Sequence, residues 1–444
     1  MSAPTRLPVE DDPFNFARYA DPYPNYRRVR ETTPVYWSQL LGGWVLTRHA
    51  DVKAALLDKR LSAARARDAQ AAQLSEDLRR QLAPVDELLR RWALFQDNPE
   101  HPRIRHALTG AFTSSVMRQL RQRVEEIADG LIDAARGRGE MDLVADFALR
   151  LPAMVIAELL GMSSSDSERF QGWVHTIALY FAIGSLGNVE TIAALRETVE
   201  QMADYMRAIV DDHRRTPKDD LIGSLIGAGS QGEPLSEVEI LSQCMLLLHG
   251  GYESTMNTIS SGMHHILRDP DQRRLCAEDP GLAGPAVEEA LRYEPAFQFV
   301  VRAATADLDA GGQAIEAGQQ VVCVLAAANR DPALFADPER FDIQRHPNRV
   351  WPALLHRCGA GPDGVPDRLQ HASAPPVRSP IGERHAPMAA SFWRALAGDP
   401  ARDFFQCGGL TLTAATVVHA APQNLLPRSH RPQMKTCTLQ RPGR

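Results

Sequence analysis

The stretch from Ser236 to Leu267 constrains the fold more than any other part of the chain. Ser236 and Glu239 stand three apart, the spacing of a capping box. In it each side chain satisfies a backbone N–H that the first helical turn leaves bare. An apolar run from Ile240 to Leu248 follows, and helical periodicity continues to Leu267. There Asp269-Pro270 ends it, because proline has no N–H and pushes the preceding residue out of helical geometry. The spacing predicts one helix of some 32 residues, long enough to cross a whole domain. In its middle lies Gly250-Gly251-Tyr252-Glu253-Ser254-Thr255. Two adjacent glycines cost a helix about 1 kcal/mol each against alanine, so they imply that something must come close to the backbone there.

Around this element helix dominates. Apolar residues recur at three- and four-residue intervals over about 115–136, 142–161, 166–184 and 189–214, and His49 to Leu57 reads as a further helix. Alternating apolar and aromatic residues predict two short strands, Val35–Ser38 and Gly43–Thr47, with a strand-like Phe297–Val301 later. Residues 60–90 are charged and alanine-rich, helical in propensity but with a weak apolar stripe, and a mobile segment is expected. The fold class is mostly α with a small β region.

Composition excludes several classes of function. With 444 residues and 44% hydrophobic content the chain can bury a sizeable core, yet no run of about 18 uncharged apolar residues exists to span a membrane. Met1 to Asp12 is polar and acidic, without the apolar stretch of a signal peptide, so a cytoplasmic protein is expected. A net charge of -6 and the lack of a basic patch with aromatic spacing argue against nucleic-acid binding. Cys244, Cys276, Cys323, Cys358, Cys407 and Cys437 are scattered, which fits a reducing compartment. His249, His264 and His265 lack a matching acid cluster and read as core or surface histidines rather than metal ligands.

Three short signatures occur in fixed order: Glu289-Ala-Leu-Arg292, Asn329-Arg330-Asp331-Pro332 and Asp337-Pro338-Glu339-Arg340-Phe341. Glu289 and Arg292 alone show the most ordinary ion-pair spacing on a helix. Together, at these separations, the signatures resemble the haem-thiolate monooxygenases, the cytochromes P-450, over residues 1–349. The resemblance implies a P-450 fold, a haem b (heme) cofactor and a structural network of Glu289 and Arg292 with Arg340. The central helix is similar to the family's oxygen-binding helix, through Gly250, Gly251, Glu253, Ser254 and Thr255. There the small residues would admit a flat macrocycle, and Glu253, Ser254 and Thr255 would pass protons. Ser254 departs from the usual threonine. His101 and Arg105 match the family's His-x-x-x-Arg helix and, with Arg302 and His356, would hold the haem propionates. Cys358 would ligate the iron as thiolate, the ligation that suits haem to cleaving dioxygen.

The pattern breaks near residue 350. Residues 350–444 hold 11 Lys+Arg against 5 Asp+Glu, and 12 of the 31 prolines. Around Leu355-His356-Arg357-Cys358-Gly359 the His-x-Cys core of the ligand loop stands, but the preceding Phe-Gly-x-Gly is absent. The domain expectation is therefore 1–349 as a P-450-like domain and 350–444 as a tail holding a remnant of the haem-ligand loop. Two readings of that tail are open: a natural divergent extension, or translation in a shifted frame, which the abruptness favours. The resemblance implies a monooxygenase acting on a small lipophilic molecule in secondary metabolism, with NAD(P)H electrons arriving through ferredoxin reductase and ferredoxin. Substrate contacts are expected from residues 60–95, Trp173–Ile183 and Phe297–Val300. The alternative is a haem-free homologue that helps another enzyme, such as a glycosyltransferase.

Overall fold

The computed structural model describes residues 5–15, 21–112, 114–181, 189–227 and 234–345. Among the described residues helices dominate, and the strands form a five-stranded sheet and a two-stranded ribbon. The N-terminal third runs α1 (Tyr23–Thr32), β1 (Val35–Ser38), β2 (Gly43–Leu46), α2 (His49–Leu57), β3 (Leu61–Ser62), α3 (Ala63–Ala72), α4 (Glu76–Arg90) and α5 (Glu100–Ala111). The helical middle comprises α6 (Ser114–Arg138), α7 (Arg150–Leu159), α8 (Ser167–Phe181), α9 (Val189–Arg215), α10 (Leu221–Gly227) and α11 (Glu237–Arg268). It ends with α12 (Pro270–Glu278), α13 (Ala283–Tyr293), β4 (Val300–Ala304), β5 (Leu308–Ala310), β6 (Gln313–Ile315), β7 (Gln320–Cys323) and α14 (Leu325–Ala328).

The central helix forms as its caps dictate. α11 spans 32 residues; Ser236 Oγ accepts from the Glu239 N–H, and Glu239 Oε2 accepts from the Ser236 N–H at 2.8 Å. Asp269 closes α11 and opens α12, its side chain accepting from the N–H groups of Asp271 and Gln272. α11 packs against α4, α7, α8, α9 and α13, so its polar residues lie inside the molecule.

Residues 60–90 depart from the sequence reading. They form two packed helices, and α4 buries Leu78, Leu82, Val85 and Leu89 against α9. That stripe has the helical spacing of i, i+4, i+7 and i+11; the charges around it hid it. Residues 142–161 also differ, since a π-helical turn over Leu143–Ala148 precedes α7.

The sheet order is β1-β2-β7-β4-β3, with β2 and β7 parallel and the other pairs antiparallel. Gly43 is a close approach: a Cβ there would stand 3.0 Å from Gln320 on the neighbouring strand. Trp44 Nε1 donates to Gln319 Oε1 at 2.7 Å, which fixes the parallel register.

The three signatures meet in one buried polar network. Arg292, wholly buried, donates through Nε and Nη2 to the two Glu289 oxygens at 2.7 and 2.8 Å. It also donates to the carbonyls of Asn329, Pro338 and Arg340. The expected third cation, Arg340, is corrected: its side chain is exposed and only its carbonyl takes part. Arg345 stands there instead, with Nε 3.2 Å from Glu289 Oε1. Asp337 adopts a left-handed φ of 46°, and the turn it starts brings Arg345 back over the carbonyls of Asp337 and Arg340.

Asn329-Arg330-Asp331 extends the network. The Arg330 guanidinium lies between the rings of Tyr23 and Tyr293, at 3.5 and 3.7 Å from their centroids, and pairs with Glu339 at 2.9 Å. Asp331 accepts from the His49 N–H at 2.8 Å, placing a carboxylate at the start of α2, where the helix dipole favours negative charge.

Glu289→Ala should cost about 3–5 kcal/mol, since it leaves Arg292 buried without its counter-charge. Arg345→Ala should cost about 1.5–3 kcal/mol, and Arg340→Ala no more than about 0.5 kcal/mol. Equilibrium urea unfolding measures all three, and equal losses for the two arginines would refute the assignment of Arg345.

Candidate active site on the central helix

The two glycines of α11 do different jobs. A Cβ on Gly251 would meet Ile156 Cδ1 of α7 at 3.1 Å, so this glycine permits close helix packing. A Cβ on Gly250 would meet no atom of the described residues within 4 Å, so among them Gly250 keeps a space clear. Ser254 Oγ donates back to the Gly250 carbonyl at 2.6 Å, and Thr258 Oγ1 to the Ser254 carbonyl at 2.8 Å. Such back-bonds on successive turns bend a helix locally.

Beside them lie polar atoms with nothing to bond. Thr255 Oγ1, Asn257 Oδ1, Ser260 Oγ and Ser261 Oγ are buried and find no hydrogen-bond partner among the described residues. Buried polar groups are overwhelmingly satisfied in native proteins, and Asn257, Ser260 and Ser261 share the Gly250 side of the helix, so that side suits water or a ligand.

Glu253 and His249 share a face of α11, with His249 Nε2 3.8 Å from Glu253 Oε2. Burial acts on them in opposite directions because it penalises each charged form. It pushes the Glu253 carboxyl up to about 7 and the His249 imidazole down to about 4. At neutral pH His249 is therefore uncharged, while Glu253 can both hold and release a proton.

His101 and Arg105 occupy α5 one turn apart, both half-buried. Their helix is tied to α11 by Arg103, which donates to Glu239. Arg302 sits on β4, where its Nη1 donates to the Val301 carbonyl at 2.8 Å. His356 and Cys358 lie outside the described residues. Trp173 is committed to the α8–α9 interface: its Nε1 donates to Gln201 and Arg169 covers its ring at 4.8 Å. Phe297, by contrast, is exposed.

Haem is the group that the motifs imply, and the described part of its site fits. Gly250 leaves a face clear of described atoms for a flat ring, and polar atoms of Asn257, Ser260 and Ser261 on that side of the helix find no partner among the described residues. Among the described residues no group of three His, Cys, Asp or Glu side chains could hold a metal ion. His265 instead bonds Glu294 at 2.6 Å and packs on Tyr293 and Phe341. No helix among the described residues is long and apolar enough to cross a membrane.

Sequence reasoning missed Gln243. This buried side chain accepts from the Ala93 N–H at 3.2 Å and donates to the Arg91 carbonyl at 2.7 Å, latching the segment before α5 onto α11. Its only signal was a polar residue inside an apolar run.

A mostly helical fold, a long central helix with an acid–hydroxyl pair beside a cleared glycine, and a buried Glu-x-x-Arg network together define a haem monooxygenase scaffold. The comparisons agree, and the chain belongs to the cytochrome P-450 family: that family's model matches residues 44–279 and 282–350. It is 34% identical to vitamin D(3) 25-hydroxylase of Pseudonocardia autotrophica, over 78% of this chain and 82% of that protein. It is 35% identical to nocardicin C N-oxygenase of Nocardia uniformis subsp. tsuyamanensis, over 80% and 87%. Among solved structures, a myxobacterial cytochrome P-450 in complex with myristic acid superposes with a TM-score of 0.69 at 36% identity. That match covers 86% of this chain and 89% of the other. The chain is thus a monooxygenase-class oxidoreductase of the haem-iron type.

The Glu253 shift has a signed consequence. Its folded value of about 7 lies above the ordinary 4.5. The stability that the protonated form contributes is complete below pH 4.5 and is lost as pH rises through 7. Against Glu253→Gln, wild type should be equally stable at low pH and fall progressively behind between those values, then run parallel. Thermal melts of both proteins across pH 4–9 test this, and a constant gap would contradict it.

Proposed function

We propose that this chain inserts one oxygen atom of dioxygen into a small lipophilic substrate in secondary metabolism, in the cytoplasm. Electrons would come from NAD(P)H through a separate ferredoxin reductase and ferredoxin. The observation that carries this is Glu253, a carboxyl held near neutrality one residue from a hydroxyl fixed on the carbonyl of a cleared glycine. The relatives named as hydroxylase and oxygenase support the reaction class.

In this reading Cys358 supplies the thiolate ligand, and His101, Arg105, Arg302 and His356 hold the propionates. Haem, when bound, supplies the oxidising chemistry. Gly250 admits the ring. Ser254, anchored to the Gly250 carbonyl, and Thr255 position water, and Glu253 exchanges protons with that water. A residue with a pKa near the working pH suits both halves of such an exchange.

We further propose that residues 1–349 form the P-450 domain and 350–444 a divergent or out-of-frame tail. The family match stops at residue 350. The missing glycines before Cys358 favour a second reading, a haem-free homologue that assists another enzyme such as a glycosyltransferase.

The reduced, carbon monoxide-bound absorption spectrum separates the two, measured on this sequence and on Cys358→Ser. A thiolate-type Soret band that disappears in the variant is expected. Folded protein with no haem band would overturn the monooxygenase reading and leave the helper. In haem-loaded protein, Glu253→Gln should lower turnover about 10²-fold, the size of a lost general-acid step.

A further inference from the structure

His249 is a buried histidine with an aromatic surround. Its ring lies 5.4 Å from that of Trp92 and 6.3 Å from that of Phe181, and Trp92 in turn stacks on Phe95 at 6.2 Å. Trp92 is fully buried. Its Nε1 and the Nδ1 of His249 are both buried with no hydrogen-bond partner among the described residues. One such atom is uncommon; two on adjacent rings form a polar spot inside an aromatic box.

The box is held firmly. Gln243 bonds the backbone on both sides of Trp92, so the indole is fixed relative to the helix that carries His249. On the same helix Gly250, the cleared glycine, is the next residue after His249, and Glu253 lies one turn on. The spot therefore borders the site described above.

We propose that Trp92 and His249 form a clip for one uncharged oxygen, a hydroxyl or a carbonyl, on an otherwise apolar substrate. This rests on the proposed monooxygenase reading, in which α11 borders the haem. An indole N–H only donates, so the ligand atom must accept. A neutral imidazole can then take a hydroxyl proton at Nδ1 or donate to a carbonyl from it. A carboxylate does not suit the spot, because a buried charge needs a counter-charge. The cation in contact with the box, Arg67, lies over the Phe95 ring at 5.5 Å and is paired with Asp86 at 2.6 Å.

The test uses two skeletons, adamantane and a fourteen-carbon chain, each as hydrocarbon, alcohol, ketone and carboxylate. Affinities are measured by calorimetry and by quenching of tryptophan fluorescence. On at least one skeleton the alcohol or ketone should bind about tenfold more tightly than the hydrocarbon and the carboxylate, the worth of one well-made hydrogen bond. Trp92→Phe and His249→Phe keep the rings while removing the polar atoms, and each should abolish that preference. The double variant should be no worse than either single one, since both lose the same oxygen. Folding of each variant is checked by its thermal melt, and His249→Leu replaces His249→Phe if the latter fails. Equal affinities across the set, additive losses, or binding by none of the probes would overturn the clip. Alcohol preference in protein without the thiolate band would sink the monooxygenase reading alone, whereas the band without preference would sink the clip alone.

Discussion

The buried pair of Glu289 and Arg292 is the interaction on which the rest of this structure depends. Taking two charges out of water is costly, and the attraction between them only offsets that cost when every remaining donor is used. Arg292 meets the condition by spending its other N–H bonds on three carbonyls from two separate loops. Those loops cannot settle elsewhere without stranding a guanidinium. From there the order spreads outward: Arg330 wedges between two tyrosines, and Asp331 caps α2, which leads back to the sheet. A chain of charged groups thus joins helical core and β-structure where apolar packing alone would leave their relation loose.

On α11 the same penalty for burying charge falls on two groups that, in the proposed function, serve chemistry instead of architecture. Glu253 and His249 are neighbours on one face, and each is driven towards its neutral form. Among the described residues nothing compensates them as Arg292 compensates Glu289. Their proximity at 3.8 Å is too long for a hydrogen bond and leaves both free to respond to whatever enters. The network on α13 is saturated, whereas several buried polar atoms of α11 find no partner among the described residues.

Local signals in the sequence translated well into structure. The capping box and the Asp-Pro stop delimit α11, and α2 spans His49–Leu57 as its pattern indicates. The Glu-x-x-Arg spacing identified the pair, but not its third member. Arg345 reaches Glu289 only because Asp337 reverses the chain, and a single aspartate at positive φ leaves little trace in composition. The stripe on α4 was obscured by intervening acids and arginines that snorkel outward. Gln243 was invisible for a different reason: its partners are backbone groups some 150 residues away, whose position no periodicity encodes. The propionate candidates His101, Arg105 and Arg302 were nameable only by resemblance, since an isolated cation carries no spacing signal.

The sheet has a temporal implication. Trp44 on β2 is completed by Gln319, 275 residues later in the chain, through a parallel pairing that no local hairpin can nucleate. At ribosomal speeds of about 5–20 residues per second, roughly 14–55 s separate the emergence of the two strands. During that interval β1 and β2 exist as a lone hairpin, which is marginal in water, with an apolar edge awaiting its neighbour. The helical middle can collapse meanwhile, because its contacts are closer in sequence. Nascent chains of this protein should therefore rely on chaperones for their amino-terminal strands, not for the helices that carry the site.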